Sequence, residues 1–175
     1  ERTLLLDGVG IPDLTTEIGE RQVLLVAPSA DSKAQLKSLK KYIADFRPVL
    51  VGVDAGADVL RAAGYTPDLI IGNPESVDSE TLRCGAEILV HAYREGHAPG
   101  EERLRRLGVP FQMVAAPGIS EDIALLLAHG RGAELIVAVG THFNLVEFLE
   151  RSRAGMSSTF VTRLKVGEIL VDAKG

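Results

Sequence analysis

Short apolar segments alternate with amphipathic segments along most of the chain. The apolar segments are rich in Val, Ile and Leu and are not interrupted by polar residues at every second position, a pattern typical of strands buried on both faces. They comprise residues 22–27, 49–53, 68–71, 87–91, 111–115 and 135–139. Because helix-like segments separate them, the sequence predicts right-handed strand–helix–strand units and a three-layer α/β fold with a mostly parallel, Rossmann-like sheet.

Helices are predicted between these strands from apolar residues at helical spacing. The first is indicated by Leu36, Leu39, Ile43 and Phe46. Asp31 precedes this helix as a candidate cap, and Pro48 ends it. Further helices are predicted after residues 54–58 with an end at Gly64, and over residues 101–107, 119–128 and 143–151.

The two ends of the chain differ from its middle. We assign residues 1–21 to a leading segment, residues 22–155 to the α/β domain and residues 156–175 to a terminal segment. The chain does not begin with Met and stops just after a strand-like run. We therefore expect it to be part of a longer protein.

Each end also carries its own predicted elements. In the leading segment, residues 3–6 predict a strand, and the loop that follows is indicated by Gly8, Gly10 and Pro12. In the terminal segment, residues 159–165 and 168–171 predict a β-hairpin around Gly167. A terminal hairpin of this kind could pair across a homodimer.

Composition and charge exclude several functions. The chain has 175 residues, a net charge of −5 and no basic tract. We therefore expect no binding to nucleic acid, which needs clustered positive charge. No apolar run approaches the roughly 20 residues that span a bilayer, so we expect this part of the chain to be soluble, without membrane contact.

Glycine and polar residues follow four of the predicted strands. Ligands of open parallel sheets bind at the carboxyl ends of the strands, so these residues are candidates for a binding site. They are Asp54, Gly56, Gly72, Asn73, Glu75, Ser76, Ser120, Glu121, Asp122, Gly140, Thr141 and His142. Glycine lets a backbone approach a ligand closely, and carboxylates beside phosphates often hold Mg²⁺. The pattern predicts a small phosphorylated ligand of nucleotide type.

Each of these residues also has a purely structural explanation. Asp54 and Asp122 are suited to helix caps or first turns, and the glycines are suited to turns. Asn73 and Glu75 flank Pro74 in what reads equally well as an ordinary turn. The sequence contains neither a Walker A motif nor a G-x-G-x-x-G motif, so no single motif decides the function.

Taken together, these segments resemble the catalytic domain of thiamine pyrophosphokinases. Residues 51–57 read V-G-V-D-A-G-A, and residues 67–76 read P-D-L-I-I-G-N-P-E-S. They are similar to the family's strand ending in D-G-G-A and to its P-D-x-I-x-G-D-x-D-S loop. Residues 120–122 and 140–142 follow in the family's order, and the resemblance extends over residues 22–149.

The resemblance implies Mg²⁺-assisted transfer of pyrophosphate from ATP to an alcohol. By position, the residues implied to bind the metal are Asp54, Asn73, Glu75 and Asp122. Of these, Asp54, Glu75 and Asp122 are implied to be catalytic. The nucleotide contacts implied are Gly56, Gly72, Asn73, Ser76, Ser120, Gly140, Thr141 and His142.

The sequence departs from the family pattern where the family carries charge. Asn73 stands in place of one aspartate, Glu75 in place of another, and Thr141 in place of a third. Because a misplacement of ~1 Å can cost ~100-fold in rate, we expect a nucleotide-binding domain that is catalytically degenerate. An active pyrophosphokinase and a pure protein-interaction scaffold are the alternatives.

A closer similarity is to a bacterial subgroup, the SteA-type proteins, which are membrane-anchored and linked to septation. The segments that carry it are residues 82–87, 91–93, 134–142, 145–149, 153–159 and 171–175. This resemblance implies membrane segments after the present chain, a location at the cytoplasmic face of the membrane, and septation proteins as partners.

Overall fold

The structure is a computed structural model that describes residues 4–6, 9–92, 96, 98–116, 118–141 and 170–172. Three predictions lie outside the described residues: the helix over 143–151, the first hairpin strand over 159–165, and the position of His142. No helix in the described ranges is long and apolar enough to cross a membrane.

The strands form two sheets. β1 (Leu4–Leu6) and β2 (Val9–Ile11) pair antiparallel with each other. The larger sheet contains β3 (Gln22–Val26), β4 (Val49–Val53), β5 (Leu69–Gly72), β6 (Glu87–Ala92), β7 (Gln112–Ala115), β8 (Leu135–Val139) and β9 (Leu170–Asp172). Its order is β7-β6-β5-β4-β3-β8-β9, and all its pairings are parallel.

The predicted α/β fold with a mostly parallel sheet is confirmed. The two ends of the chain differ in part from their predictions. β9 overlaps the second strand of the predicted hairpin, residues 168–171, at Leu170 and Val171, and it pairs parallel with β8. The predicted loop in the leading segment is wrong at Gly10, which lies in β2 opposite Leu5. Glycine disfavours a strand by under about 1 kcal/mol, and pairing with the apolar β1 outweighs that cost.

Helices connect the strands of the larger sheet. They are α1 (Ser32–Ser38), α2 (Lys40–Phe46), α3 (Gly56–Ala62), α4 (Ser79–Leu82), α5 (Glu101–Leu107) and α6 (Ser120–Gly130), with a 3₁₀ turn at Pro74–Ser76. Glu101–Leu107 has the predicted bounds, and Gly108 ends it in a left-handed conformation with φ 70°. This is the usual role of glycine after the last turn of a helix.

The helix predicted from Leu36 to Phe46 is in fact two helices, α1 and α2, which are separated by Leu39. The Leu39 N–H donates to the carbonyl of Leu36 at 3.0 Å, a tighter turn than that of an α-helix. The apolar stripe is also shorter than predicted, since Phe46 is 60% exposed and stacks on Tyr42. Asp31 occupies the predicted cap position of α1, but its side chain makes no capping hydrogen bond.

The two faces of the larger sheet have separate cores, because successive residues of a strand point to opposite faces. On one face Val51 lies in the same buried cluster as Ile123 of α6. On the other face Leu50 lies in a cluster with Leu60 of α3, and Leu104 of α5 belongs to a neighbouring cluster. Helices therefore cover both faces of the larger sheet, so a binding site is expected at the ends of its strands.

Candidate functional site

The strand order brings the predicted loops to one edge of the sheet. Because all pairings in the larger sheet are parallel, the carboxyl ends of β6, β5, β4, β3 and β8 lie side by side. The loops after β4 and β5 contain Asp54 and Asn73, and α6 begins at Ser120 after β7. The edge therefore gathers residues that are far apart in the sequence.

Asp54 is held in an unusual backbone conformation at this edge. Its φ is 49°, in the left-handed region that aspartate tolerates better than most residues. Its Oδ1 accepts a hydrogen bond from the Asn73 backbone N–H at 2.8 Å. A Cβ atom placed on Gly72 would lie 2.0 Å from the same Oδ1, and Gly72 itself has a φ of 131°. Only glycine at position 72 permits this contact.

The environment of Asp54 favours its neutral form more than water does. Burial raises the pKa of the Asp54 carboxyl. The Asn73 N–H and the nearby His91 both act to lower this pKa, but they do not offset the effect of burial. Carboxyl groups with a pKa raised by burial are common at functional sites.

The side chain of Asn73 is engaged in the turn that follows it. Its Oδ1 accepts a hydrogen bond from the Glu75 N–H at 2.9 Å and so caps the 3₁₀ turn. The Ser76 hydroxyl donates to the Asn73 carbonyl oxygen at 2.8 Å. Glu75 and Ser76 are themselves exposed. The structure thus brings Asn73 to Asp54 and leaves the next two predicted site residues at the surface of the turn.

His91 is a candidate site residue that the sequence pattern did not predict. Its Nε2 lies 2.7 Å from the carbonyl oxygen of Ala116, and its Nδ1 lies 3.0 Å from the Ser120 hydroxyl. A carbonyl oxygen only accepts, so Nε2 carries a proton, and in a neutral ring Nδ1 accepts the proton of Ser120. The signal was available, because His91 ends a predicted strand at the same edge.

A small cavity lies between these residues. It has a volume of about 100 Å³ and is lined by Asn73, His91, Ala92, Pro99 and Ser120. A water molecule takes about 30 Å³ of liquid volume, whereas pockets for whole ligands measure roughly 300–1,000 Å³. The cavity therefore has room for a group the size of a phosphoryl. We call Asp54, Asn73, His91 and Ser120 the carboxyl-edge cluster.

Gly56 and Gly140 have packing roles at the ends of β3 and β8. A Cβ on Gly56 would lie 1.9 Å from the carbonyl oxygen of Val26, and one on Gly140 would lie 2.1 Å from the Ser32 hydroxyl. The Gly140 N–H donates to Gln35 Oε1 at 2.8 Å. Both glycines allow close approach of backbone to backbone or side chain, which is their structural explanation.

Two more predicted site residues are buried. Thr141, just after β8, is 3% exposed, and Asp122, in the first turn of α6, is 5% exposed. The position of Asp122 near the loop after β7 follows from Gly118, where a Cβ atom would lie 3.9 Å from Asp122 Oδ2. Asp122 thus belongs to the same strand-end region as Ser120.

The carboxylates of the edge do not form a ready-made metal site. Within the described ranges, no three side chains of His, Cys, Asp or Glu come close enough together to hold a metal ion. Asn73 uses its oxygen as a cap and Glu75 is exposed. The residues therefore do not fit a preassembled Mg²⁺ site, and the metal role implied for Asp54, Asn73, Glu75 and Asp122 stays a prediction.

Comparisons with known proteins give only distant similarity. No protein-family model matches the sequence, and no curated protein matches it. The chain is similar to the crystal structure of thiamine pyrophosphokinase from Bacillus subtilis, with 18% identity and a TM-score of 0.46 over 83% of this chain and 54% of that one. For thiamin pyrophosphokinase from Geobacillus thermodenitrificans the values are 19% and 0.46, over 75% and 53%. The chain spans about half the length of these two structures.

Proposed function

We propose that this domain binds a small phosphorylated ligand of the nucleotide class at the carboxyl-edge cluster and transfers pyrophosphate poorly or not at all. The observation that carries the proposal is the half-buried Asp54 carboxyl. It is held in a left-handed conformation on the Asn73 N–H, beside the cavity that His91 and Ser120 line. Backbone strain of this kind is found mainly at functional sites.

The cavity has suitable partners for a phosphate group. Ser120 is the first residue of the 11-residue helix α6, and the amino end of a helix favours anions through its unpaired N–H groups and its dipole. The Ser120 hydroxyl and the His91 ring bond to each other at the same place. When the ring carries both protons, Nδ1 donates to Ser120, and the hydroxyl proton is free to bond to a phosphate. A phosphoryl group fits the volume, and the rest of a nucleotide would extend outwards.

The same edge is poorly equipped for catalysis. Transfer of phosphoryl groups depends on positioning and on neutralising the charge that develops, usually with Mg²⁺ held by carboxylates. Here one expected carboxylate is the amide of Asn73, and Glu75 lies exposed on the turn. This supports a binding function in preference to a working pyrophosphokinase.

Calorimetric titration of the chain tests the binding proposal. ATP, ADP and inorganic pyrophosphate are added with and without Mg²⁺, and we expect at least one to bind with a Kd below 1 mM. Ser120→Ala and His91→Gln should each weaken that binding about tenfold. Ser38→Ala, a change to an exposed hydroxyl at the end of α1, should leave it unchanged. Absence of binding by all three ligands would favour the scaffold alternative.

Release of AMP from ATP tests the catalytic part. With Mg²⁺ and either thiamine or another small alcohol, we expect little turnover by the parent chain. The double variant Asn73→Asp, Glu75→Asp restores the carboxylates of the resembled family, and a gain of turnover would support descent from an enzyme. Rapid turnover by the parent would instead identify an active pyrophosphokinase.

We propose further that residues 22–155 form the cytoplasmic domain of a membrane-anchored septation protein. The support is the sequence similarity to SteA-type proteins. A fluorescent fusion of the full-length protein should concentrate at the division septum of bacterial cells, and its loss should delay cell separation. A uniform distribution with normal division would contradict this role.

A further inference from the structure

A groove separate from the carboxyl-edge cluster runs between the α1–α2 pair and α3. Its volume is about 490 Å³, within the range of roughly 300–1,000 Å³ found for ligand sites. Its apolar lining consists of Leu36, Val59, Ala62, Ala63 and Tyr65, and its charged lining consists of Lys33, Lys37, Lys40 and Asp58. It shares no lining residue with the cavity beside His91.

The charge of the groove is opposite to that of the chain. Lys33, Lys37 and Lys40 are exposed, and none of them forms an ion pair within the part of the chain that the structure describes. The single acid of the lining, Asp58, accepts a hydrogen bond from the Asp78 N–H at 3.2 Å. One rim of the groove is therefore positive in a chain whose net charge is −5.

The spacing of the lysines suggests the shape of the partner. Lys33 and Lys37 stand one turn apart on α1, about 6 Å along the helix at 1.5 Å per residue, and Lys40 is the first residue of α2. Acidic side chains about one turn apart on a second helix laid along α1 would meet Lys33 and Lys37. Ala62 and Ala63 are exposed on the α3 side, and such small residues let another backbone approach closely.

We propose that this groove binds an acidic amphipathic helix of a partner protein. The apolar face of that helix lies on Val59, Ala62 and Tyr65, which are partly or fully exposed, and its acidic residues pair with the lysine rim, as in other helix-in-groove complexes. An anionic membrane surface is a poorer occupant, because the chain as a whole is negative and the positive charge is confined to one rim.

A synthetic peptide of about 18 residues provides the probe. It carries Leu on one face, Glu at positions i, i+4 and i+7 of the other, and a fluorescent label whose anisotropy reports binding to the 175-residue chain. We expect saturable binding that weakens as salt rises. The triple change Lys33→Glu, Lys37→Glu, Lys40→Glu should weaken it at least tenfold. Lys41→Glu alters an exposed neighbour outside the lining and should weaken it less than twofold.

A second variant separates the groove from general charge attraction. Ala62→Trp places a bulky ring on the α3 side of the groove without changing charge. It should also weaken binding at least tenfold, while circular dichroism confirms that each variant is folded. Three results would overturn the proposal: no saturable binding, equal effects of Lys41→Glu and the triple change, or no effect of Ala62→Trp. Self-association of the parent chain that the triple change abolishes would assign the groove to a second copy. Binding to anionic vesicles but not to peptide would assign it to a membrane.

Discussion

Asp54 combines a left-handed backbone with a half-buried carboxyl, at φ 49° and beside Gly72. Neither feature favours folding by itself, since the conformation is strained and burial disfavours a charge. The hydrogen bond from the Asn73 N–H offsets part of this cost. This cost to stability agrees with the binding role that we propose for Asp54.

The titration of Asp54 should make the stability of the protein depend on pH. Because burial raises the pKa of Asp54 above its ordinary value of 3.8, the folded state binds more protons than the unfolded state between these two pKa values. Its contribution to stability therefore falls as pH rises through the folded-state pKa. Asp54→Asn removes this titration and keeps an oxygen for the Asn73 N–H.

We expect the Asn variant to have a Tm higher than the parent by about 1–3 °C at pH 7, with the difference disappearing as the pH approaches 4. Thermal unfolding followed by circular dichroism at several pH values measures this. A constant difference at all pH values would show that the carboxyl does not titrate as described. Loss of ligand binding in the same variant would support the assignment of Asp54 to the carboxyl-edge cluster as a binding residue.

Gly72 allows a second test at the scale of one residue. Gly72→Ala places a Cβ 2.0 Å from Asp54 Oδ1 in a residue with φ 131°, so the carboxyl must move. We expect a loss of about 1–3 kcal/mol in stability together with loss of ligand binding. Gly85→Ala is the matched control, because its φ is 98° but nothing lies within 4 Å of the new atom. Equal effects of the two changes would show that backbone strain alone is responsible.

Helix α5 holds the loop that follows β5. The Arg103 side chain donates hydrogen bonds to the carbonyl oxygens of Pro74 and Val77, and to the Ser79 hydroxyl at 2.8 Å. One guanidinium thus ties three points of the loop, which its rigid array of donors makes possible. Arg103 therefore positions the loop that follows Asn73.

Arg103→Met keeps the length of the side chain and removes these donors. We expect a loss of about 1–3 kcal/mol in stability and faster hydrogen exchange at the Ser76 and Val77 amides, which bond within this loop. Arg106→Met is the control, since Arg106 is exposed on the same helix and its side chain makes no hydrogen bond in the described part of the chain. If the two variants exchange at the same rate, Arg103 does not order the loop.

At the scale of secondary-structure elements, the sequence pattern was sufficient to predict the bounds of some strands but not of every helix. Residues 49–53 and 135–139 were predicted with their observed bounds, because a strand buried on both faces is a continuous apolar run. The break at Leu39 was not predicted, since both α1 and α2 continue the same apolar spacing. The spacing of apolar residues indicates which side of a helix is buried, but it does not indicate a tightened turn within the helix.

The site was predicted less completely than the sheet. The sequence pattern placed Asp54, Gly72 and Asn73 at the carboxyl ends of strands, and the structure has them there, at the ends of β4 and β5; their role in a site stays a prediction. His91 was missed because it lies within a predicted strand, and its partners, Ala116 and Ser120, are distant in the sequence. Contacts between loops depend on strand order, which a single sequence does not give.

At the scale of the whole molecule, the two edges of the larger sheet differ in the loops and contacts that they carry. The carboxyl edge holds the strained loops, whereas the opposite edge anchors the leading segment. There, the Glu87 carboxylate at the start of β6 accepts hydrogen bonds from the Thr15 and Thr16 N–H groups at 2.7 and 2.9 Å. Ile11 and Ile18 of that segment are buried in the main core, so this contact joins distant parts of the chain.

Glu87 should therefore stabilise the protein in a way that acid removes. Burial raises the pKa of Glu87, but the hydrogen bonds from Thr16 and Thr15 outweigh it, so the pKa lies below its ordinary value of 4.5. A lowered folded-state pKa gives stability that is present above the unfolded pKa and is lost as pH falls through the folded-state pKa. Glu87→Gln turns an amide N–H₂ towards one of the backbone N–H donors, because Gln has only one side-chain oxygen.

We expect Glu87→Gln to lose about 1–2 kcal/mol at neutral pH, with the loss shrinking below pH 4. Urea unfolding at pH 7 and pH 3.5 measures it, and exchange of the Thr15 and Thr16 amides should quicken. Glu134→Gln is the control, since Glu134 is exposed just before β8 at the same edge. Equal losses for the two variants would mean that general surface charge, and not the tie between the leading segment and β6, stabilises the sheet.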